Sequence, residues 1–307
     1  MDNPLKCIPK FIINLRKNTK RLTAVLSALD SVGSLDFYTV IRAIEPHEVD
    51  YNPEQYIDYQ TYENIKHPKS SIILPSFGSL ACALSHIKAW KHIIKNGIRE
   101  ALIIEDDIVI TDRTKFHFDL HTLFSLIKYH NNTNILVTVG SRHFSKRYLD
   151  AKDNPPYSRN YHGIFALYEN DGKKNVEVIQ GPIIGTHFYY VNNSTCAFLL
   201  DHIRKIKYQI DIEIGLLSHR ITMYNINTKA IQQNKYFASD VQLSLVSFDD
   251  IQRIFTSLQS GIINKNLLLL IYSYIPYIYK KINPNNNKRH QDMDPSIIFN
   301  SYQSYHT

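Results

Sequence analysis

Residues 101–110 read ALIIEDDIVI, and the three adjacent carboxylates within them are the chain's clearest chemical feature. Four apolar residues lead into Glu105, Asp106 and Asp107, and the apolar run resumes after them. A short apolar run of this kind reads as a strand covered on both faces. Carboxylates at the end of such a strand are costly unless water, a cation or hydrogen-bond donors meet them. Mg²⁺ and Mn²⁺ are hard cations that take oxygen ligands, often one or two carboxylates completed by phosphates and water. In open α/β sheets, ligands gather at the carboxyl ends of strands. The trio therefore suits a place where a divalent cation and an anionic ligand meet. A solvated acidic turn is the plain alternative.

The elements that must position this trio surround it in the sequence. Residues 10–15 (KFIINL) read as a first strand, followed by a basic loop at residues 16–21 (RKNTKR). Leu22, Val25, Leu26 and Leu29 then give a helix an apolar face. Residues 38–44 (YTVIRAI) read as a second strand, so the chain opens with a βαβ unit and a parallel sheet. Residues 79–96 predict an amphipathic helix just before the acidic strand. Leu80, Leu84, Ile87, Lys91 and Ile94 fall roughly on one stripe, which Lys91 interrupts, with Trp90 adjacent. Asn96-Gly97 supplies its stop. Further along, residues 118–129 read as a helix, 134–140 as a buried strand, 176–191 as strands and 194–206 as a helix. Residues 48–71 and 142–171 read as loops. The pattern predicts one α/β domain over residues 1–250 and an extension over 251–307. Residues 266–281 are apolar and aromatic but broken by Pro276, short of the roughly 20 residues a spanning helix needs. They predict a helix packed on the domain, with peripheral membrane contact as the rival; the last 25 or so residues read as loosely ordered.

Composition narrows the class. The chain has 307 residues and a net charge of +7, from 35 basic and 28 acidic side chains. Such a balance suits anionic partners such as nucleotides or a membrane face, although a lysine-rich surface explains it equally. There is no GxGxxG after the first strand and no GxxxxGK[ST], which excludes the dinucleotide fingerprint and the P-loop. Cys7, Cys82 and Cys196 make no CxxC pair and no disulfide framework, which fits a reducing compartment. The first ten residues lack a signal-peptide pattern, so the expected location is cytoplasmic. His117 and His121 stand at i, i+4 without the glutamate of HExxH, and read as a surface pair rather than a zinc site.

The block SLACALSHIKAW, a short gap and ALIIEDDIVI resembles the core signature of glycosyltransferase family 25, which includes lipopolysaccharide glycosyltransferases and collagen hydroxylysine galactosyltransferases. Gly78, Cys82, Ser85, His86, Trp90, Glu105, Asp106 and Asp107 match. Ser79 and Ala81 depart, standing where the family has glutamate and glycine. The opening FIINLRKNTKR is similar to the family's first strand at Ile13, Asn14, Leu15 and Arg21, and RAIEP (42–46) to the end of its second. GTHFYYVNNSTCAFLL, QID and ASDVQ resemble later segments, so the likeness spans about residues 10–245.

The resemblance implies a GT-A-like fold: a single α/β domain with a mixed, mostly parallel sheet flanked by helices, followed here by a C-terminal helical extension. It implies a UDP-sugar donor, a Mn²⁺ or Mg²⁺ ion, inversion at the sugar carbon, and a hydroxyl acceptor on a glycan or a hydroxylated side chain; no nucleic-acid partner is expected. Carried over by position, Asp107 would hold the metal. Glu105 and Asp106 would face the nucleotide, Ser85 and His86 the donor, and Asn14 and Arg21 the base or diphosphate. For Ser85 and His86 helix packing is the rival reading, and for Arg21 a surface charge. Inversion needs a base for the acceptor hydroxyl. Asp211, alone in an apolar QIDI segment where burial could raise its pKa, is the first candidate and Asp240 the second. Either could instead be a helix cap or a further metal ligand. A non-catalytic protein of the same fold, acting at a polyanion or membrane surface, is the competing expectation.

Overall fold

A computed structural model of the chain describes residues 7–49, 52–67, 73–130, 133–143, 165–170, 173–179 and 181–234. In chain order its elements are β1 (Lys10–Asn14), α1 (Thr19–Asp30), β2 (Tyr38–Arg42), α2 (Pro46–Val49), α3 (Tyr59–Lys66), α4 (Phe77–Lys95), β3 (Glu100–Glu105), β4 (Ile108–Ile110) and α5 (Arg113–Tyr129). There follow β5 (Ile135–Val139), β6 (Arg142–His143), β7 (Phe165–Asn170), β8 (Lys173–Val178), β9 (Ile183–Ile184), β10 (Phe188–Asn192), α6 (Asn193–His202), α7 (Ile210–Leu216), β11 (Thr222–Ile226) and β12 (Ile231–Gln233). Asp240 and residues 266–281 lie outside the described residues, as does the whole of the expected extension.

Eight strands form one sheet in the order β2-β1-β3-β10-β5-β11-β8-β7. β1 pairs in parallel with β2 and β3, and β5 with β11. β10 is inserted antiparallel between β3 and β5, and β8 is antiparallel to both of its neighbours. Six strands thus point one way and two the other, the mixed, mostly parallel α/β sheet that the sequence predicts.

Strand residues alternate between two cores, as the period of two requires. Phe11, Ile13, Ile103, Leu136, Tyr189 and Val191 pack in one core with Leu80, Trp90 and Ile93 of α4. Ile12, Leu102, Ile104, Val137, Phe188 and Tyr190 pack in the other with Val25 and Leu29 of α1 and Phe116, Leu120 and Leu123 of α5. The central strands are buried on both faces, which is why β1, β3 and β5 read as continuous apolar runs.

Three sequence expectations change. Lys91, the interruption in the stripe, is exposed, but α4 is buried nearly all round rather than along one stripe, with Ala81, Ser85, His86, Ala89, Trp90 and Ile93 inside. Residues 48–71 are not simply a loop. α3 forms there because the Asp58 carboxylate accepts the Thr61 N–H at 2.7 Å and caps it. Its buried face includes the polar residues Thr61 and Asn64, so hydropathy conceals it. The Asn64 amide donates to the Ile73 and Leu74 carbonyls, tying the helix to the chain just before α4. Finally, β6 and β7 lie inside the stretch read as irregular.

Candidate active site

β1, β2 and β3 run parallel and end together, with Ile13 beside Glu105 and Asn14 beside Arg42. Their carboxyl ends form one wall of a solvent-open pocket of about 660 Å³. Its lining includes Arg21 of α1, Cys82, Ser85 and His86 of α4, the Glu105–Asp106–Asp107 trio, and Gln233 of β12. The trio straddles the strand end. Glu105 is the last residue of β3 and points to the α4 side; Asp106 and Asp107 make the turn into β4.

Each carboxylate has its own surroundings. Asp106 accepts from the Asn14 side-chain amide at 2.6 Å and pairs with Arg21 Nε at 3.1 Å. Asp107 pairs through Oδ2 with Arg21 Nη2 at 3.1 Å. Arg21 thus bridges the two aspartates from the first turns of α1, and its side chain is only 12% exposed. Asp107 Oδ1 is buried and has no hydrogen-bond partner among the described residues. Burial first, then the charges of Glu105 and Asp106, push the Asp107 carboxyl up to about 7 against the pull of Arg21. Glu105 behaves oppositely. Burial works to raise its carboxyl, but His86, His187 and the Thr186 hydroxyl outweigh burial and hold it below the usual range. Thr186 Oγ1 donates to Glu105 Oε1 at 3.2 Å, and His86 Nε2 lies 3.5 Å from the same oxygen.

α4 presents its residues by packing. Its N-cap Ser76 accepts the Ser79 N–H at 3.0 Å, so Ser79, where the family has glutamate, serves the cap. Ser85 donates to the Ala81 carbonyl at 2.7 Å and accepts the Ile44 N–H at 2.9 Å. It lines the pocket, yet its hydroxyl is engaged in fastening the end of β2 to α4. His86 is fully buried and bonds through Nδ1 to the Tyr189 hydroxyl at 3.0 Å.

Asp211 does not line this pocket. It sits in the first turn of α7, where its carboxylate accepts the Gly185 N–H and the Ile212 N–H, each at 2.9 Å. Burial first, and then the charge of Glu105, push it up to about 6. The link to Glu105 is the loop from Gly185 to His187. Gly185 takes φ +94, its carbonyl accepts from Ser141, Thr186 bonds Glu105, and the His187 carbonyl accepts the Glu105 N–H.

The structure therefore gathers Arg21, Ser85, His86, Glu105, Asp106 and Asp107 in one pocket. Asn14 lies behind Asp106, and Asp211 is held at one remove. Asn14 and Arg21, expected against the donor, are both bonded to the aspartates. Thr186, His187 and Tyr189 are site residues to which sequence reasoning gave no role. They stand in GTHFYYV, a stretch that reads as an apolar strand.

The pocket can also be tested as a cation site. Among the described residues, no group of three His, Cys, Asp or Glu side chains is disposed to hold a metal ion. An oxygen-preferring cation needs only one or two protein carboxylates when phosphates complete its shell. The unsatisfied Asp107 Oδ1 is such an oxygen, and the raised Asp107 carboxyl marks an excess of negative charge. The residues fit the group. Among the described residues no helix is long and apolar enough to cross a membrane.

No curated protein matches the chain significantly in sequence. Among solved structures, it is similar to a UTP-bound UGPase from Acinetobacter baumannii, with TM-score 0.41, 10% identity, and coverage of 82% of this chain and 99% of that one. It is also similar to a structure described as mannose-1-phosphate geranyltransferase from Thermus thermophilus, with TM-score 0.37, 10% identity, and coverage of 71% and 73%. A third is a glycosyltransferase involved in glycosylation of the major capsid of PBCV-1, with TM-score 0.29, 9% identity, and coverage of 64% and 65%. Likenesses this distant carry no weight for the chemistry. The sequence profile described as glycosyltransferase family 25 (LPS biosynthesis protein) matches residues 7–214, from the start of β1 through the helix bearing Asp211. Over two thirds of its length, with Glu105, Asp106 and Asp107 inside the matched span, the chain belongs to glycosyltransferase family 25 and is a glycosyltransferase.

Proposed function

We propose that the protein transfers a hexose, galactose or glucose, from a UDP-sugar to a hydroxyl on a glycan or hydroxylated side chain, with Mn²⁺ or Mg²⁺ and with inversion, on a GT-A-like fold. One observation carries this reading. The end of β3 and the turn after it deliver Glu105, Asp106 and Asp107 to a single pocket at the carboxyl ends of three parallel strands, in which Arg21 bridges the two aspartates and Asp107 keeps an unsatisfied oxygen. Asp107, with Asp106 beside it, would hold the cation, which when bound neutralises charge on the departing diphosphate as a Lewis acid.

The chain's own residues do the rest. Arg21 exchanges aspartate contacts for diphosphate oxygens, and Asn14 keeps Asp106 in place. The apolar wall of Ile13, Leu15, Ala43 and Ile44 covers the flat side of the nucleotide. Asp211 is the base. As the acceptor oxygen bonds to the anomeric carbon and the bond to the diphosphate breaks, Asp211 takes the hydroxyl proton. Its position near pH 6 suits that task, since it is ionised at neutral pH and still basic enough to accept. Asp240, the other candidate base, lies outside the described residues.

The test is a screen of UDP-sugars with Mn²⁺ in which released UDP is measured. One UDP-hexose should be turned over, and Asp107→Ala should lower its turnover at least about a hundredfold. Full activity of that variant without added metal would contradict the reading.

A further inference from the structure

Three fully buried side chains stand behind the pocket in a chain of hydrogen bonds. Trp90 Nε1 donates to the Tyr189 hydroxyl at 3.0 Å and that hydroxyl lies 3.0 Å from His86 Nδ1; the chain stops there, with His86 Nε2 making no hydrogen bond but lying 3.5 Å from Glu105 Oε1. Trp90, Tyr189 and His86 are each 0% exposed. The rings of His86 and Tyr189 are near parallel, 29° apart, with centroids at 5.7 Å.

The direction of this chain follows from donor counting. An indole N–H can only donate, so the Tyr189 oxygen accepts from Trp90. The phenol hydrogen must then go elsewhere, and at a fully buried hydroxyl an unplaced proton is costly. Nδ1 of His86 is the acceptor within reach. An imidazole that accepts at Nδ1 carries its hydrogen on Nε2, the nitrogen that faces Glu105. If His86 carried hydrogen on Nδ1, alone or as the imidazolium, the Tyr189 oxygen would face two donors and its own hydrogen would be stranded.

We propose that Trp90 and Tyr189 are positioning residues that lock His86 in its Nε2–H tautomer and thereby aim an N–H at Glu105, fixing the orientation of that carboxylate at the pocket wall. Thr186 donates to the same oxygen at 3.2 Å, and His86 Nε2, unsatisfied and 3.5 Å away, is the α4 group placed to join it. The role explains why an aromatic residue on a core strand should carry a hydroxyl at all. A phenylalanine at 189 would fill the same volume, but could neither satisfy the Trp90 N–H nor set the histidine.

This inference rests on the reading of Glu105 as a donor-pocket carboxylate, so the experiment has one arm that needs no donor. In long-range ¹H–¹⁵N spectra of the full-length, uniformly ¹⁵N-labelled protein near pH 7, His86, identified by its loss in His86→Gln, should show a protonated Nε2 and an unprotonated Nδ1. In Tyr189→Phe that single tautomer should give way to a mixture or to the Nδ1–H form. In the second arm, with the UDP-hexose found in the screen, Tyr189→Phe should raise the donor KM about tenfold while kcat stays within about twofold. In a His86→Gln background, the same change should cost less than about twofold. An Nδ1–H or doubly protonated His86 in the wild type would overturn the proposal, and that measurement needs no variant to fold. So would an unchanged tautomer in Tyr189→Phe. A wild type that turns over no UDP-sugar would refute the reading of the pocket and leave the spectrum to decide the relay.

Discussion

At the scale of single residues, three carboxylates in sequence and a fourth nearby have been given different characters by their neighbours. Glu105 meets donors and is held low; Asp107 meets like charges in a buried turn and is raised to about 7; Asp211 is raised to about 6. A base must be ionised to act, so the sign for Asp211 is plain: activity is full above its pKa and falls as pH drops through it. With Mn²⁺ saturating, so that Asp107 stays ionised, the logarithm of kcat/KM against pH should fall with unit slope below about pH 6. Asp211→Asn should lose about a hundredfold or more and abolish that limb. A profile that stays flat to pH 5 in the wild type would remove Asp211 as the base. The sequence exposes all these carboxylates, because acidic residues in apolar runs stand out. It does not expose their partners. Asn14 and Arg21 lie about 90 residues from Asp106 in sequence, and only the parallel pairing of β1 with β3 brings them together.

At the scale of elements, Asp211 is placed by a close helix-to-backbone contact. α7 docks on the segment leading into β9, and a Cβ on Gly215 would meet the Gly181 carbonyl oxygen at 2.6 Å and Pro182 Cα at 2.7 Å. Those are backbone atoms, which cannot rotate away. Gly215→Ala should therefore push the helix outward, cost about 1–3 kcal/mol of stability, and lower kcat more than it raises the donor KM. Denaturant unfolding and steady-state kinetics check both parts; unchanged values would show that the contact does not fix Asp211. Neither this contact nor α3 was legible in the sequence. The buried face of α3 carries Thr61 and Asn64, and a glycine in an apolar run gives no sign of what lies against it. What was legible were the elements with strong periodicity, namely β1, α1, β2, β3 and β5. β1, β3 and β5 are apolar on both faces, and the order of these elements in the chain dictates the parallel opening. The inverted β10 was not, because pairing direction leaves no mark on a strand buried on both sides.

At the scale of the whole molecule, the pocket places a cost on the fold. Asp107 holds its proton more tightly folded than unfolded, at about 7 against about 3.9 in an unstructured chain. Its contribution to stability is therefore fully present below about pH 4 and is lost as pH rises through 7. In the absence of metal and donor, Asp107→Asn should match the wild type near pH 4 and exceed it by about 1–2 kcal/mol near pH 7.5, while losing activity. Thermal unfolding of both proteins across this range measures it, and parallel stability curves would contradict it. A cation bound at Asp107 would offset this cost by favouring the ionised carboxylate. Titration calorimetry of UDP into the protein reads the proposed coupling of metal to nucleotide through Asp107. With Mn²⁺ present the wild type should bind UDP at least about tenfold more tightly than in excess chelator, and Asp107→Ala should bind alike in both. Equal affinity of the wild type with and without Mn²⁺ would contradict the account.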